Sequence, residues 1–88
     1  MSASPLQCAC CDYFTLRGDG WEICPVCFWE DDGSTVCHPD KISGPNHMAL
    51  REARENFIAF GSCERRLLPN VIGVGERQQF KLERRTLS

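Results

Sequence analysis

Cys8-Ala9-Cys10-Cys11 and Cys24-Pro25-Val26-Cys27, separated by twelve residues, decide how this chain folds. Two C-x-x-C pairs bring four thiolates into two short loops. That is the layout of a tetrahedral structural zinc site, with Zn–S about 2.3 Å, four ligands and no open position. Each pair lets two sulfurs of one tight turn converge on one ion, and Pro25 stiffens the second turn by fixing φ near about −65°. The expected ligands of one zinc are Cys8, Cys11, Cys24 and Cys27. Iron in the same four thiolates is the alternative metal. Spacing favours Cys11 over Cys10, which is left as a spare or alternative ligand. A set of disulfides would need an oxidising compartment, and seven cysteines cannot all pair.

A chain of 88 residues is expected to form one domain,. A core of that size supplies only ~3–5 kcal/mol, so a metal staple is physically useful. The segment Met1 to Leu6 has no basic residue and no apolar run, so no secretory signal is expected,. No apolar run approaches the ~20 residues needed to span a membrane. The chain therefore reads as cytoplasmic, where thiols stay reduced. Its net charge of −2 hides an asymmetry. Residues 1–44 carry two basic and seven acidic residues, and residues 45–88 carry eight basic and five acidic. Four metal-bound thiolates would make the first half more negative still, which disfavours a phosphate backbone as partner.

Working outward from the cysteines, Tyr13-Phe14-Thr15-Leu16 and Trp21-Glu22-Ile23 flank Arg17-Gly18-Asp19-Gly20. Two strand-like runs around a glycine-rich turn predict a hairpin between the knuckles, with Trp21 and Ile23 on one face. Phe28 and Trp29 are expected over the thiolates, and Trp29 in plain core packing. Glu30, Asp31 and Asp32 form an acidic run without the spacing of a calcium loop. Residues 33–46 read as a loop carrying Cys37 and His38, neither needed as a ligand.

A helix is predicted over residues 49–60, with Leu50, Ala53, Phe57 and Phe60 as its apolar stripe. Asn46 is expected to cap its start and Gly61 its end, with Arg51 and Glu55 paired weakly on the solvent side. Cys63 reads as a small buried hydrophobe, and Val71 to Val74 as one further short strand. The domain is drawn at residues 1–75, with a charged tail at 76–88 that is frayed or disordered. The fold class is thus small α+β: a zinc-ribbon hairpin with two knuckles packed against one helix.

These motifs resemble those of the small bacterial cysteine-rich proteins named for their CPCC motif. Their pattern, C-P-C-C-G-Y, then E-I-C-P-V-C-F-W-E-D-D-G, then N…L-x-E-A-R-x-N-F…F-G, is matched by Cys8 to Tyr13, Glu22 to Gly33, and Asn46 to Gly61. Ala9 and Asp12 stand where the pattern has proline and glycine, and Ala49 where it tends to have a helix-capping serine. A looser or more acidic first knuckle is the expected result. The resemblance implies a zinc-binding, non-enzymatic cytoplasmic protein. Because some members accompany toxin systems, it also implies an immunity or inhibitor role.

The residues themselves favour a protein-binding module, with Glu30, Asp31 and Asp32 meeting a basic partner and Asp12, Asp19 and Asp40 adding charge. The alternative is a zinc-ribbon nucleic-acid-binding or regulatory protein, using Arg65, Arg66 and the tail. Catalysis is disfavoured, since a four-thiolate zinc leaves no position for water or substrate.

Overall fold

A computed structural model describes residues 4–87. The signal-free reading of residues 1–3, and the last residue of the tail, fall outside that range. Two small antiparallel hairpins, one helix and a cysteine cluster make up the small α+β fold.

Each knuckle closes its own arm of chain. Strands β1 (Leu6–Gln7) and β2 (Phe14–Leu16) pair antiparallel, Leu6 opposite Leu16 and Gln7 opposite Phe14, with Cys8 to Cys11 in the loop between them. The Cys8 N–H donates to the Tyr13 carbonyl at 2.8 Å, and the Asp12 N–H donates back to the Cys8 carbonyl at 3.1 Å. The second knuckle repeats both bonds: Cys24 N–H to Trp29 O at 3.0 Å and Phe28 N–H to Cys24 O at 2.8 Å. Ile23 and Glu30 bridge beside it.

The residue after the second cysteine is left-handed in both turns, Asp12 at φ 71° and Phe28 at φ 68°. Asp tolerates this region because its short polar side chain bonds locally, whereas a phenylalanine there costs about 1–2 kcal/mol.

This pairing corrects one expectation. Tyr13–Leu16 and Trp21–Ile23 do not form a hairpin with each other. Each C-x-x-C turn reverses the chain by itself, so each strand finds its nearest partner across its own knuckle. The segment between them is a crossing loop with Gly18, Gly20 and Trp21 at φ 92°, 78° and 58°. The Glu22 carboxylate organises it, accepting the N–H groups of Arg17, Gly18 and Asp19 at 2.8, 2.7 and 3.0 Å.

Strands β3 (Ile42–Ser43) and β4 (Met48–Ala49) form the second hairpin. Asn46, expected as a helix cap, instead brackets the strand after the second knuckle. Its Oδ1 accepts the Glu30 N–H, and its Nδ2 donates to the Glu30 carbonyl, both at 2.9 Å. Helix α1 (Leu50–Phe60) starts directly after β4. Ala49 offers no side-chain cap, and the Arg51 N–H is taken by the Pro39 carbonyl at 2.9 Å. Gly61, at φ 98°, closes the helix by donating its N–H to Phe57 O.

Leu50, Ala53 and Phe57 are buried as the periodicity predicts, while Phe60 is half-buried with the Arg65 guanidinium 4.4 Å above its ring. Arg51 pairs with Asp40 at 2.7 Å, and Glu55, expected as its weak partner, adds a smaller electrostatic attraction. Of the thirteen residues in the core cluster, six are cysteines. With so little aliphatic and aromatic volume, the interior depends on what the sulfurs do.

The rest of the chain wraps back over the knuckles. Two short 3-10 helices, Arg65–Asn70 and Val74–Gln79, replace the strand expected at residues 71–74. Pro69 has no N–H to give a ladder, and the Ile72 N–H goes to the Pro25 carbonyl at 3.0 Å,. Arg77 lies 4.8 Å over the Phe57 ring and donates to the Gly61 carbonyl at 3.1 Å. Pairing with a sheet comes later instead. Leu82 bridges Tyr13, and the Phe14 N–H donates to the Lys81 carbonyl at 2.9 Å, so the tail lies along the free edge of β2.

Candidate metal centre

Four sulfurs meet where the two knuckles face each other. One sulfur each from Cys8, Cys11, Cys24 and Cys27 lies within 4.8 Å of all the others, and all four residues are buried. Cys8 Sγ is 3.6 Å from Cys27 Sγ, and Cys11 Sγ is 3.7 Å from Cys24 Sγ. These contacts cross between knuckles, so each arm contributes one edge to a shared polyhedron. A tetrahedron with metal–sulfur bonds of about 2.3 Å has sulfur–sulfur edges of about 3.8 Å. The donor set and its spacing therefore fit one tetrahedral metal ion. All seven cysteines are free thiols, with no disulfide competing for these sulfurs.

Electrostatics inside the cluster point the same way. The neighbouring thiols of Cys11, Cys27 and Cys8 hydrogen-bond to Cys24 and hold it far below the usual thiol range, with Thr15 Oγ1 adding a contact of 3.0 Å. Cys11 is pushed up, first because its own proton serves Cys24, and Cys27 is pushed up by burial and by the same neighbours. One negative charge can be shared among four thiols, but four cannot coexist in a dry box. A bound dication removes that conflict by deprotonating every thiol it coordinates. The Trp29 backbone N–H donates to Cys27 Sγ at 3.5 Å, and the Trp29 ring, 1% exposed, packs in the core as expected.

The remaining cysteines fall outside the tetrahedron. Cys10 is buried, its thiol raised mainly by desolvation, and it lines a 410 Å³ cleft between the first knuckle, α1 and the tail. Cys63 is buried with its thiol pushed up to about 12 by desolvation, and its backbone N–H serves the Cys27 carbonyl at 2.8 Å. Cys37 and His38 are exposed in the loop.

Of the acidic run, Glu30 and Asp31 are half-buried beside the second knuckle, and Asp31 accepts the Gly33 N–H at 3.3 Å. Asp32 has an internal task. Its carboxylate takes the Ser34 N–H at 2.9 Å and the Ser43 hydroxyl at 2.6 Å, which ties the loop to β3. Asp40 is paired with Arg51, and Asp12 does not belong to an acidic surface at all. Asp12 is 5% exposed, gripped by Arg54 through bonds of 2.8 and 2.9 Å and by the Arg85 Nε at 2.8 Å. Burial alone would raise its pKa, but these hydrogen bonds outweigh it and hold the carboxyl below the usual range.

Two features escape a reading of the sequence. The first is this Asp12–Arg54–Arg85 network, whose only trace in the sequence is an acidic residue directly after Cys11. The second is the exposure of Trp21 and Ile23, 68% and 47%, which the hairpin reading places on one face without saying that it is bare. The Trp21 N–H donates to the Asp31 carbonyl at 2.9 Å, so this apolar pair stands directly beside Glu30 and Asp31.

Among the described residues no helix is long and apolar enough to cross a membrane. A profile of the family described as Cysteine-rich CPCC matches residues 6–78. No curated protein and no solved structure matches the chain.

Proposed function

Since the chain belongs to the cysteine-rich CPCC family, with four cysteines positioned to hold one metal ion, we propose that it is a zinc-stapled, non-enzymatic protein-interaction module. The observation that carries this reading is the closed tetrahedron of buried sulfurs. Four thiolates of one ion leave no position for a substrate, so the metal's work is to hold surfaces in place. Zinc suits the site because it has no geometric demand beyond the tetrahedron and no redox chemistry to damage the thiolates. The reduced thiols suit a reducing compartment such as the cytoplasm,.

The surface that the second knuckle presents is Trp21 and Ile23 flanked by Glu30 and Asp31. An exposed tryptophan beside two carboxylates has the composition of an interface hot spot for a basic protein. A basic bacterial toxin neutralised by this module is the partner class in keeping with the family resemblance. Several basic residues are taken up by the fold itself, Arg54 and Arg85 by Asp12 and Arg77 by Phe57, while Arg66 pairs at the surface with Glu64 at 2.9 Å.

The test is capture of partners from the native host by the zinc-loaded protein and by Trp21→Ala and Asp31→Lys variants. A basic protein held by the wild type, released by salt and lost with either variant, is the expected result. Equal recovery by all three, or salt-dependent retention of DNA or RNA instead, overturns it.

A further inference from the structure

Arg85 makes three separate contacts with the first knuckle. Its backbone N–H donates to Asp12 Oδ2 at 2.9 Å, its Nε to Asp12 Oδ1 at 2.8 Å, and its Nη2 to the Cys8 carbonyl at 2.8 Å. Its own carbonyl accepts Arg54 Nη2 at 2.8 Å, and Arg54 Nη1 reaches the Ala9 carbonyl at 2.6 Å. Upstream, the Gln7 amide donates to the Glu83 carbonyl at 2.6 Å and Leu82 bridges Tyr13. The C-terminal segment is thus fastened to the residue that follows Cys11 and to the backbone of Cys8, both expected metal ligands.

We propose that Asp12 and Arg85 form a clasp that couples the C-terminal segment to the metal centre. It rests on the reading of the four cysteines as a metal site, with Arg85 as a positioning residue for the first cysteine pair. Two physical effects act together. Fixing the Cys8 carbonyl and the Asp12 side chain holds the first turn in the shape that points Cys8 and Cys11 at the second knuckle. The guanidinium also places a positive charge beside a centre that carries two negative charges when four thiolates hold a dication. Such outer partners orient ligands and tune affinity. Linkage makes the coupling reciprocal: if the closed clasp favours metal, bound metal favours the closed clasp by the same factor.

The experiment compares full-length wild type with Arg85→Ala, Arg85→Lys and Asp12→Gly. Zinc affinity is read by competition with a chromophoric chelator, and release of the tail by tryptic cleavage after Arg84. Asp12→Gly suits the left-handed backbone, so it removes the carboxylate without straining the turn. Arg85→Ala and Asp12→Gly are expected to weaken zinc binding about tenfold or more, and Arg85→Lys to recover part of that loss. Cleavage is expected to be slow in zinc-loaded wild type, and faster in zinc-loaded Arg85→Ala and Asp12→Gly. Wild-type zinc affinity in both Arg85→Ala and Asp12→Gly, or tail cleavage in the zinc-loaded variants no faster than in wild type, overturns the clasp while leaving the metal site standing. Failure of the wild type to bind zinc overturns both.

Discussion

Arg54 meets Asp12 fork to fork: Nη1 lies 2.8 Å from Oδ1 and Nη2 2.9 Å from Oδ2, with both side chains nearly buried. The contact joins the second turn of α1 to the turn that carries Cys8 and Cys11, across 42 positions of sequence. It is the main polar link between the helix and the first knuckle.

Removing one partner of a buried pair strands the other. Arg54→Met is expected to destabilise the metal-loaded protein by about 3 kcal/mol, the low end for such pairs because Asp12 keeps Arg85. Arg54→Lys is expected to cost less but not nothing, since an ammonium cannot reproduce the fork. Denaturant unfolding at fixed zinc measures both, and a cost for Arg54→Met within ~0.5 kcal/mol of zero would contradict the role given to the pair.

The pH dependence of Asp12 follows from the direction of its shift. Its folded carboxyl titrates below the ordinary value of 3.8, because the bonds from Arg54 and Arg85 outweigh burial. Its stabilisation is therefore complete above about pH 4 and fades as pH falls through the lower folded value. The stability difference between wild type and Asp12→Asn should be flat from about pH 7 to 5 and shrink in stronger acid. A difference that persists unchanged to about pH 2 would show that the carboxylate charge is not what matters.

Phe28 tests the knuckle geometry. Both Phe28→Ala and Phe28→Gly delete the ring, but only glycine relieves the backbone at φ 68°. The glycine variant should be the more stable of the two by about 1 kcal/mol. Thermal unfolding of the two variants side by side decides it, and alanine above glycine would mean that the turn is not left-handed in solution.

The uncapped start of α1 offers a gain. Ala49 has the extended backbone of a capping residue, φ −74° and ψ 150°, and Glu52 stands three residues later. Ala49→Ser should complete a capping box and stabilise by about 0.5–1 kcal/mol. Asn46→Ala should cost about 1–3 kcal/mol, because it leaves the bracketed backbone of Glu30 without partners. A cost for Asn46→Ala below about 0.5 kcal/mol would contradict the bracketing role, and no gain from Ala49→Ser would contradict the vacant cap.

What the sequence makes legible is set by how local each signal is. The cluster of Cys8, Cys11, Cys24 and Cys27 can be anticipated from spacing, because a C-x-x-C turn needs only its own residues to aim two sulfurs. Helix α1 can be read from the recurrence of Leu50, Ala53 and Phe57 and from Gly61. The strand pairing is not legible in the same way. Phe14–Leu16 has equally plausible partners on either side in sequence, and the knuckle's own chain reversal decides between them.

Asn46 shows a different limit. Its position before a helix suggests a cap, yet a carboxamide that can both donate and accept does more by bridging the N–H and carbonyl of Glu30. Long-range polar contacts leave the least trace. Nothing local in Arg85 announces that it will reach Asp12, and the charged composition of the tail points toward solvent.

One zinc ion held by Cys8, Cys11, Cys24 and Cys27 is proposed to staple the fold. Native mass spectrometry of the wild type, Cys10→Ser and Cys11→Ser, each refolded with zinc, puts this to the test. One zinc per chain is expected in the wild type and in Cys10→Ser, with loss of both the zinc and the compact charge-state distribution in Cys11→Ser. A wild type that stays compact without metal, or zinc retained by Cys11→Ser and lost by Cys10→Ser, would contradict it.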